Sequence, residues 1–390
     1  MKIKKRSILL AILQFMGTMV INAQHNLWQN TDESFENPPL LPQDNIRHVK
    51  VRSAELPSTF LIGSAIAEHK GIMYASWATG PDGIKENGPL EHVKVKRSLD
   101  QGSTWQDEQV LAPVVDGLYN HSHGSFWSVN DTLNFFSASF TGHTRGYLKG
   151  NRIFATDLKT ERFYLEETTQ TWVSKGIVIN NFFPMDEPRQ MANGNFIMAG
   201  LDKDLRARVA ISKGQNPGMW ETVPIPQNHI KGFPEPTTLV LEDEILLIIR
   251  NYSLPEDEDH FCVSTSTDNG KNWTSIGLTN FKATKSKPYG GILSSGRPYL
   301  ISNLNHRKWI CISLGEKGTS GFSKIFRLRP GDAPFSSYFK GGDDFTNQQW
   351  AYPYALEYNN NLYVIYHQNK LDAELTIIPL KLLNNITLIK

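Results

Sequence analysis

The chain has 390 residues, 39% hydrophobic, 20% charged and 11% aromatic. That ordinary globular composition excludes a disordered, collagen-like or coiled-coil protein. The formal charge of +1 falls to −3 once Lys2, Lys4, Lys5 and Arg6 are removed with a leader that holds no acid, so the mature chain has no electrostatic footprint for nucleic acid.

In chain order, residues 1–23 read as a secretory signal. Lys2 to Arg6 form a charged start, 8–20 are mostly apolar but too few to span a bilayer, and Ile21-Asn22-Ala23 precedes Gln24 like a signal-peptidase site. No cysteine follows the cut, so no lipid anchor is expected. Residues 24–390 are then expected to be an exported, soluble monomer, secreted or periplasmic.

Beyond the leader, helical periodicity is nearly absent. Short apolar or alternating runs, broken by Gly, Asn, Asp and Pro, predict strands at 71–77, 93–98, 133–140, 195–198, 245–249, 299–302 and 362–366. Hairpin signals lie at Asn193-Gly194, Ser295-Gly296 and Asn359-Asn360-Asn361. Segments of one type open near residues 62, 123, 187, 235, 289 and 352. That spacing of roughly 50–60 residues suits four-stranded propeller blades. Six units are clear, and a seventh is sought in 113–176, or in 44–51 paired with 386–389 to close the ring. The expectation is an all-β protein, one β-propeller over 24–390, with seven blades favoured and six the alternative. Cys262 and Cys311 sit in apolar strand-like runs and read as buried free thiols. Two cysteines are too few for a disulfide scaffold or a structural zinc site.

Ser98-Leu99-Asp100-Gln101-Gly102-Ser103-Thr104-Trp105 fits the Asp-box pattern S-x-D-x-G-x-T-W in full, and Ser266 to Trp273 fits with Asn272 in place of Thr. In such a turn the Asp accepts turn amides, Gly takes a positive φ and Trp packs beneath the hairpin. These residues are structural. Asp boxes in a propeller resemble sialidase-like enzymes. Pro234-Glu235-Pro236, then Arg250 after an apolar strand, is similar to the sialidase glutamate and second arginine. Arg297 is similar to the third arginine, and 352–356, opening with Tyr352, lies where a sialidase places its nucleophilic tyrosine. A sialidase clamps its carboxylate with three arginines. Phe60-Leu61-Ile62-Gly63-Ser64, where the first belongs, has none, and the acid/base aspartate is not evident. Sialidase activity is therefore disfavoured, and Glu235, Arg250 and Arg297 read equally as a structural ion network or a relic pocket.

A second constellation is histidine-rich: His121-Ser122-His123-Gly124, then His143, with Arg189 further on. His123, His143 and Arg189 resemble propeller-type ulvan lyases, in which base, acid and carboxylate-neutralising arginine carry out β-elimination. Structural, hydrogen-bonded histidines are the competing reading. A zinc site from His121, His123 and His143 lacks any carboxylate at ligand spacing, and no metal or cofactor is expected.

The resemblance covering most of 25–390 is to glycoside hydrolase family 145, exported bacterial propellers that act on L-rhamnose linked α-1,4 to D-glucuronic acid, the cap of arabinogalactan proteins and gum arabic. That family is described as seven-bladed, with its centre on the propeller face opposite the usual one and one essential histidine near the mature N terminus. The matching stretch is Asn45-Ile46-Arg47-His48-Val49-Lys50, so the resemblance implies His48 as acid/base, assisted by the substrate's own carboxylate. Arg47, Lys50 and Arg52 would offer positive charge to the glucuronide, or form a solvated strand edge. No convincing Asp/Glu pair of the usual glycosidase kind is present; acids cluster in loops such as 256–259. The alternatives are a uronate lyase, an exo-sialidase-like hydrolase, or a non-catalytic glycan-binding propeller using Trp77, Trp127, Trp309 and Trp350, which otherwise read as blade core.

Overall fold

The structure, a computed structural model, describes residues 25–30, 35–54, 60–81, 88, 90–115, 119–141, 146–148, 151–153, 157–227, 233–251, 259–336 and 348–387. The leader, His143 and the acidic run 256–258 fall outside these.

Six antiparallel sheets form the blades of a propeller, as the strand spacing predicts. From axis to rim, blade I holds Ile62–His69, Ile72–Thr79, His92–Ser98 and Gln109–Ala112. Blade II holds Asn120–Val129, Thr132–Phe140, Lys159–Glu166 and Thr171–Asn180. In blade III the inner strand is split into Phe183–Pro184 and Arg189–Gln190, followed by Phe196–Leu201, Ala207–Lys213 and Asn216–Pro224. Blade IV holds Pro236–Val240, Ile245–Ile249, His260–Ser266 and Gly277–Lys282, and blade V holds Tyr289–Ile292, Pro298–Leu304, Trp309–Leu314 and Lys324–Arg327. Blade VI holds Trp350–Tyr358, Asn361–Gln368 and Asp372–Pro379, with Arg47–Arg52 as its outermost strand.

The ring thus has six blades among the described residues, not the favoured seven. Residues 113–176 contribute a single blade, with the hairpin Gly146–Leu148/Asn151–Ile153 inserted between its second and third strands. The N-terminal strand closes the ring, but it completes blade VI rather than building a seventh, and its partner is Asp372–Pro379, where Arg47 faces Ile377 and Arg52 faces Ala373. Residues 386 and 387 lie in no strand, and 388 and 389 fall outside the described residues; after the sheet, Leu380–Asn384 is a short helix that buries Leu380 and Leu383 against the blade.

Second strands read as continuous apolar runs because both their faces are covered: Ile245–Ile249 and Pro298–Leu304 are buried throughout. Rim strands such as Thr171–Asn180 and Asn216–Pro224 are mostly exposed. Residues 25–30 and 35–41 run along the rims of blades IV and V, pairing His25 with Thr279, Trp28 with Phe322 and Leu40 with Arg327. Trp28 and Phe35 pack there on Phe281. Cys262 and Cys311 are buried and unpaired, and burial pushes both thiols up, Cys262 to about 12.

Both Asp boxes form as read. Asp100 Oδ1 accepts from the Thr104 amide at 2.8 Å, and Oδ2 from the Thr104 hydroxyl at 2.7 Å. Asp268 Oδ1 accepts from the Asn272 amide at 2.9 Å, and Asn272 Nδ2 replaces the threonine hydroxyl at 2.6 Å from Oδ2. Gly102 and Gly270 take φ of +79° and +76°, and Trp273 Nε1 donates to the Gly270 carbonyl at 2.8 Å. Donors from Asn272 hold the Asp268 carboxyl below its ordinary 3.8, at about 2. A lowered folded value means the stabilisation is present above about pH 4 and lost as pH falls towards 2. Asp268→Ala is therefore expected to lower the melting temperature at pH 7, and the gap between variant and parent should close in scans taken towards pH 2. A gap that stayed constant with pH would refute the charge-assisted turn.

Candidate active site

Successive strands alternate in direction, so the start of each inner strand and the end of its second strand share one face, the mouth. The Asp-box turns, which link third and fourth strands, fall on the opposite face. At the mouth three neighbouring inner strands slip register: blade I between Ile62 and Ala65, blade II between His121 and Gly124, blade VI between Ala351 and Tyr354. Bulges of this kind re-aim side chains and are common beside active sites. Here they bring Gly63, His123 and Tyr352 together. Gly63 has φ +66°, and a Cβ on it would sit 1.9 Å from His123 Cγ, so the first-arginine stretch of the sequence is occupied by the His123 imidazole. That ring lies 4.7 Å from Phe183 and 6.3 Å, edge-on, from Tyr352.

Tyr352 itself has φ +57°. A bulky side chain in the left-handed region costs free energy and persists only where the surroundings enforce it, typically at functional sites. Phe60, Ile62, Ala78 and Ala351 pack around it. Its hydroxyl donates to Glu235 Oε1 at 2.5 Å. Glu235 Oε2 accepts from Arg250 Nη1, which also stands 3.5 Å from the Tyr352 oxygen. Glu235 immediately precedes the inner strand of blade IV and Arg250 immediately follows its second strand, so the hairpin itself joins the pair. The three keep slight exposure, 7% for Tyr352, 3% for Glu235 and 6% for Arg250. Chemically this is a phenol aimed at a carboxylate base, with a guanidinium able to stabilise negative charge on the phenolic oxygen or on an incoming anion.

Arg297 is not part of this group. It lies in the turn after the inner strand of blade V, on the far face, and its Nη1 donates to the carbonyls of Leu383 at 2.7 Å and Ile386 at 3.0 Å. The arginine that reaches the mouth from blade V is Arg307, just beyond Pro298–Leu304. It donates to Gln349 Oε1 at 3.0 Å and to the Lys285 carbonyl. The signal that sequence reading missed is positional: Arg307 follows the second strand of its blade as Arg250 follows that of blade IV. His367, at the end of the second strand of blade VI, was also missed; it stacks on the Tyr352 ring.

Deeper along the axis is a polar plug. Asp186 accepts from the amides of Ala199 and Thr238 at 2.6 and 2.7 Å. Glu187 Oε1 holds Arg189 Nε at 2.8 Å and the Tyr289 hydroxyl at 2.8 Å. Arg189 also donates to the Thr238 carbonyl and lies 5.1 Å over the Tyr289 ring, so its guanidinium ties blades III, IV and V together. Beside it Lys287 is buried, and burial lowers its ammonium to about 8. His121 is fixed between the Pro113 carbonyl at 2.7 Å and Glu161 at 2.9 Å.

His48 lies at the rim of blade VI, opposite Thr376 and towards the face with the Asp boxes. Its Nδ1 is 3.0 Å from Thr376 Oγ1 and its Nε2 3.1 Å from Gln43 Oε1. Partial burial, with Arg329 adding to it, lowers the imidazole to about 4. Arg47 bonds the Ser103 hydroxyl at 2.8 Å, Lys50 pairs with Asp372 at 3.0 Å and Glu374 at 3.5 Å, and Arg52 is buried against Glu108 at 3.2 Å. Trp77, Trp127 and Trp350 are blade core. Trp309 is half-buried under the Arg327 guanidinium.

Residues 71–364 match the family described as BNR repeat-like domain. No curated protein matches the chain. Among solved structures, a Dyadobacter fermentans protein of unknown function is 15% identical with a TM-score of 0.64, covering 86% of this chain and 99% of its own. The Hadza microbial sialidase Hz136 is 14% identical with a TM-score of 0.64, over 86% of this chain and 68% of its own. Trypanosoma rangeli sialidase is 15% identical with a TM-score of 0.61, over 87% of this chain, which spans only 60% of that protein. At such identities the likeness speaks for the fold alone.

Proposed function

The chain belongs to the BNR repeat-like domain family, and from that premise we propose that it is an exported glycoside hydrolase acting at the mouth of the ring on a sugar that carries a carboxylate. Tyr352 is the nucleophile, Glu235 its base and Arg250 the partner of the substrate's anion. The observation that carries this reading is the Tyr352 hydroxyl held 2.5 Å from Glu235 by a strained backbone at φ +57°. Glu235 takes the phenolic proton as the oxygen attacks the anomeric carbon and the bond from that carbon to the aglycone oxygen breaks, the departing alcohol taking its proton from solvent water. In the second step water attacks the same carbon, the tyrosine oxygen leaves and regains the proton from Glu235, and the free sugar departs with the proton lost by water passing to solvent. Two displacements at one carbon retain its configuration. A phenol approaches an anionic sugar without the repulsion a carboxylate nucleophile would meet. The departure from a three-arginine clamp, with His123 over Gly63 where the first arginine would stand, argues for an acidic sugar other than the usual sialoside.

The finer reading, release of L-rhamnose from glucuronate caps with His48 as acid/base, has its own support. Above about pH 4 the imidazole is neutral and fit to accept a proton, and it faces the side of the ring that glycoside hydrolase family 145 implies. One experiment separates the two. Incubate parent, His48→Ala and Tyr352→Phe proteins with gum arabic and with aryl glycosides of acidic sugars, and identify the products by chromatography. We expect loss of product with Tyr352→Phe and its retention with His48→Ala. Rhamnose release that survives Tyr352→Phe and vanishes with His48→Ala would transfer the activity to the rim, and an unsaturated uronate would assign a lyase.

A further inference from the structure

His367 is fully buried, and its ring lies parallel to that of Tyr352, with centroids 5.3 Å apart and planes 25° from each other. Its Nδ1 accepts the Lys370 amide at 3.3 Å. A neutral imidazole that accepts at one nitrogen carries its proton on the other, so Nε2 is the donor. That Nε2–H has no hydrogen-bond partner among the described residues. A buried donor without an acceptor is costly, and natural proteins keep few of them unless something else supplies the acceptor. The surroundings say what kind of acceptor. Burial keeps the ring neutral, and the positive charges of Lys370 and Arg307 act on it together with His123, while Arg250 stands on the other side of the Tyr352 hydroxyl. A donor in a positive field beside a nucleophile suits an anionic oxygen.

Resting on the reading of Tyr352 as nucleophile, we propose that His367 is a substrate-binding residue, whose Nε2–H donates to a carboxylate oxygen of the acidic sugar. Its ring backs the Tyr352 ring, so the group that grips the sugar and the group that attacks it move as one unit. The blade VI hairpin supplies both, Tyr352 near the start of the inner strand and His367 near the end of the second. The register brings Ala351 opposite His367, which places the imidazole beside the bulge that aims the tyrosine.

The test uses 4-methylumbelliferyl α-N-acetylneuraminide, 4-methylumbelliferyl β-D-glucuronide and gum arabic, taking forward whichever the parent protein cleaves. His367→Phe keeps the stack and removes the donor. It is expected to raise KM about 10- to 100-fold, the effect of losing a hydrogen bond to a charged acceptor, with kcat within about threefold. His367→Gln, whose amide nitrogen reaches a similar place, is expected to recover most of that loss. In parallel, long-range 1H–15N spectra of the parent should show the Nε2-protonated tautomer and a shift of its resonance when the product sugar is added, a readout that stands if either variant folds poorly. Unchanged KM in folded His367→Phe, or an Nε2 resonance indifferent to product, overturns the proposal and means that a buried water satisfies the donor. Tyr352→Phe run alongside keeps the two ideas apart. If that variant stays active, or the parent cleaves none of the three, the preceding reading falls and this one with it; if it is inactive while His367→Phe is normal, only this one falls.

Discussion

Tyr352→Phe is expected to lower kcat by about a thousandfold or more, since removing a covalent nucleophile typically costs at least that much. The ring and its packing against Phe60 and Ile62 remain, so the fold should survive. What is lost is the hydroxyl that donates to Glu235. Glu235 keeps Arg250 as its partner, which spares the variant an unpaired buried charge and the roughly 3–5 kcal/mol such a charge brings. The check is a paired measurement, turnover and chemical denaturation on the same preparation. Activity lost with stability down by no more than about 1–3 kcal/mol, the cost of one unsatisfied buried acceptor, is the expected pattern. A variant that turns over normally removes Tyr352 from the chemistry altogether, and the strained backbone would then need another explanation.

Gly63→Ala should place a disruptive methyl group at the mouth, and Gly71→Ala is its natural control. Both glycines have positive φ, +66° and +82°, so each alanine pays the left-handed penalty of about 1–2 kcal/mol. At Gly71 nothing lies within 4 Å of the added Cβ, whereas at Gly63 it would fall 1.9 Å from His123 Cγ. Displacing that imidazole adds roughly 1–3 kcal/mol of overpacking and pushes it towards the Tyr352 ring 6.3 Å away. Gly63→Ala is thus expected to lose about 2–5 kcal/mol of stability and, because misplacing catalytic groups by about 1 Å costs on the order of a hundredfold, much of kcat as well. Gly71→Ala should lose only the smaller amount and keep full activity. Equal losses from the two would mean that His123 has room to move and that the three bulges do not act as one assembly.

The fold was largely legible because its second strands, covered on both faces, read as apolar runs, and because each Asp box is written out in a few consecutive residues. The rim strands were not legible. Thr171–Asn180 and Asn216–Pro224 face solvent, so no hydrophobic alternation marks them, and without them the blade count could not be closed. Glu235, Arg250 and Tyr352 could be picked out because two of them flank one obvious hairpin and the third opens a blade. Arg297 misled for the same reason: it too neighbours a strand, but at the hairpin turn, and only strand direction reveals that turns and mouth lie on opposite faces. Arg307 carried only the positional signal of following a second strand, as Arg250 does, and His367 gave none; the relevance of both arises from side chains more than forty or more than ten residues away that the ring brings beside them.

The strand Arg47–Arg52 has a bearing on how the molecule is made. It is the first of the described strands to leave the ribosome, yet its partner Asp372–Pro379 is the last. Until the two meet, blade VI presents a long row of unpaired amides and carbonyls, the template on which other chains add. Pairing across so great a sequence separation is slow for entropic reasons. Assembly should therefore pass through an open, five-blade arc whose survival depends on chaperoning or low concentration. The same latch, once shut, keeps the strands Arg47–Arg52 and Asp372–Pro379 from peeling unless the circle breaks.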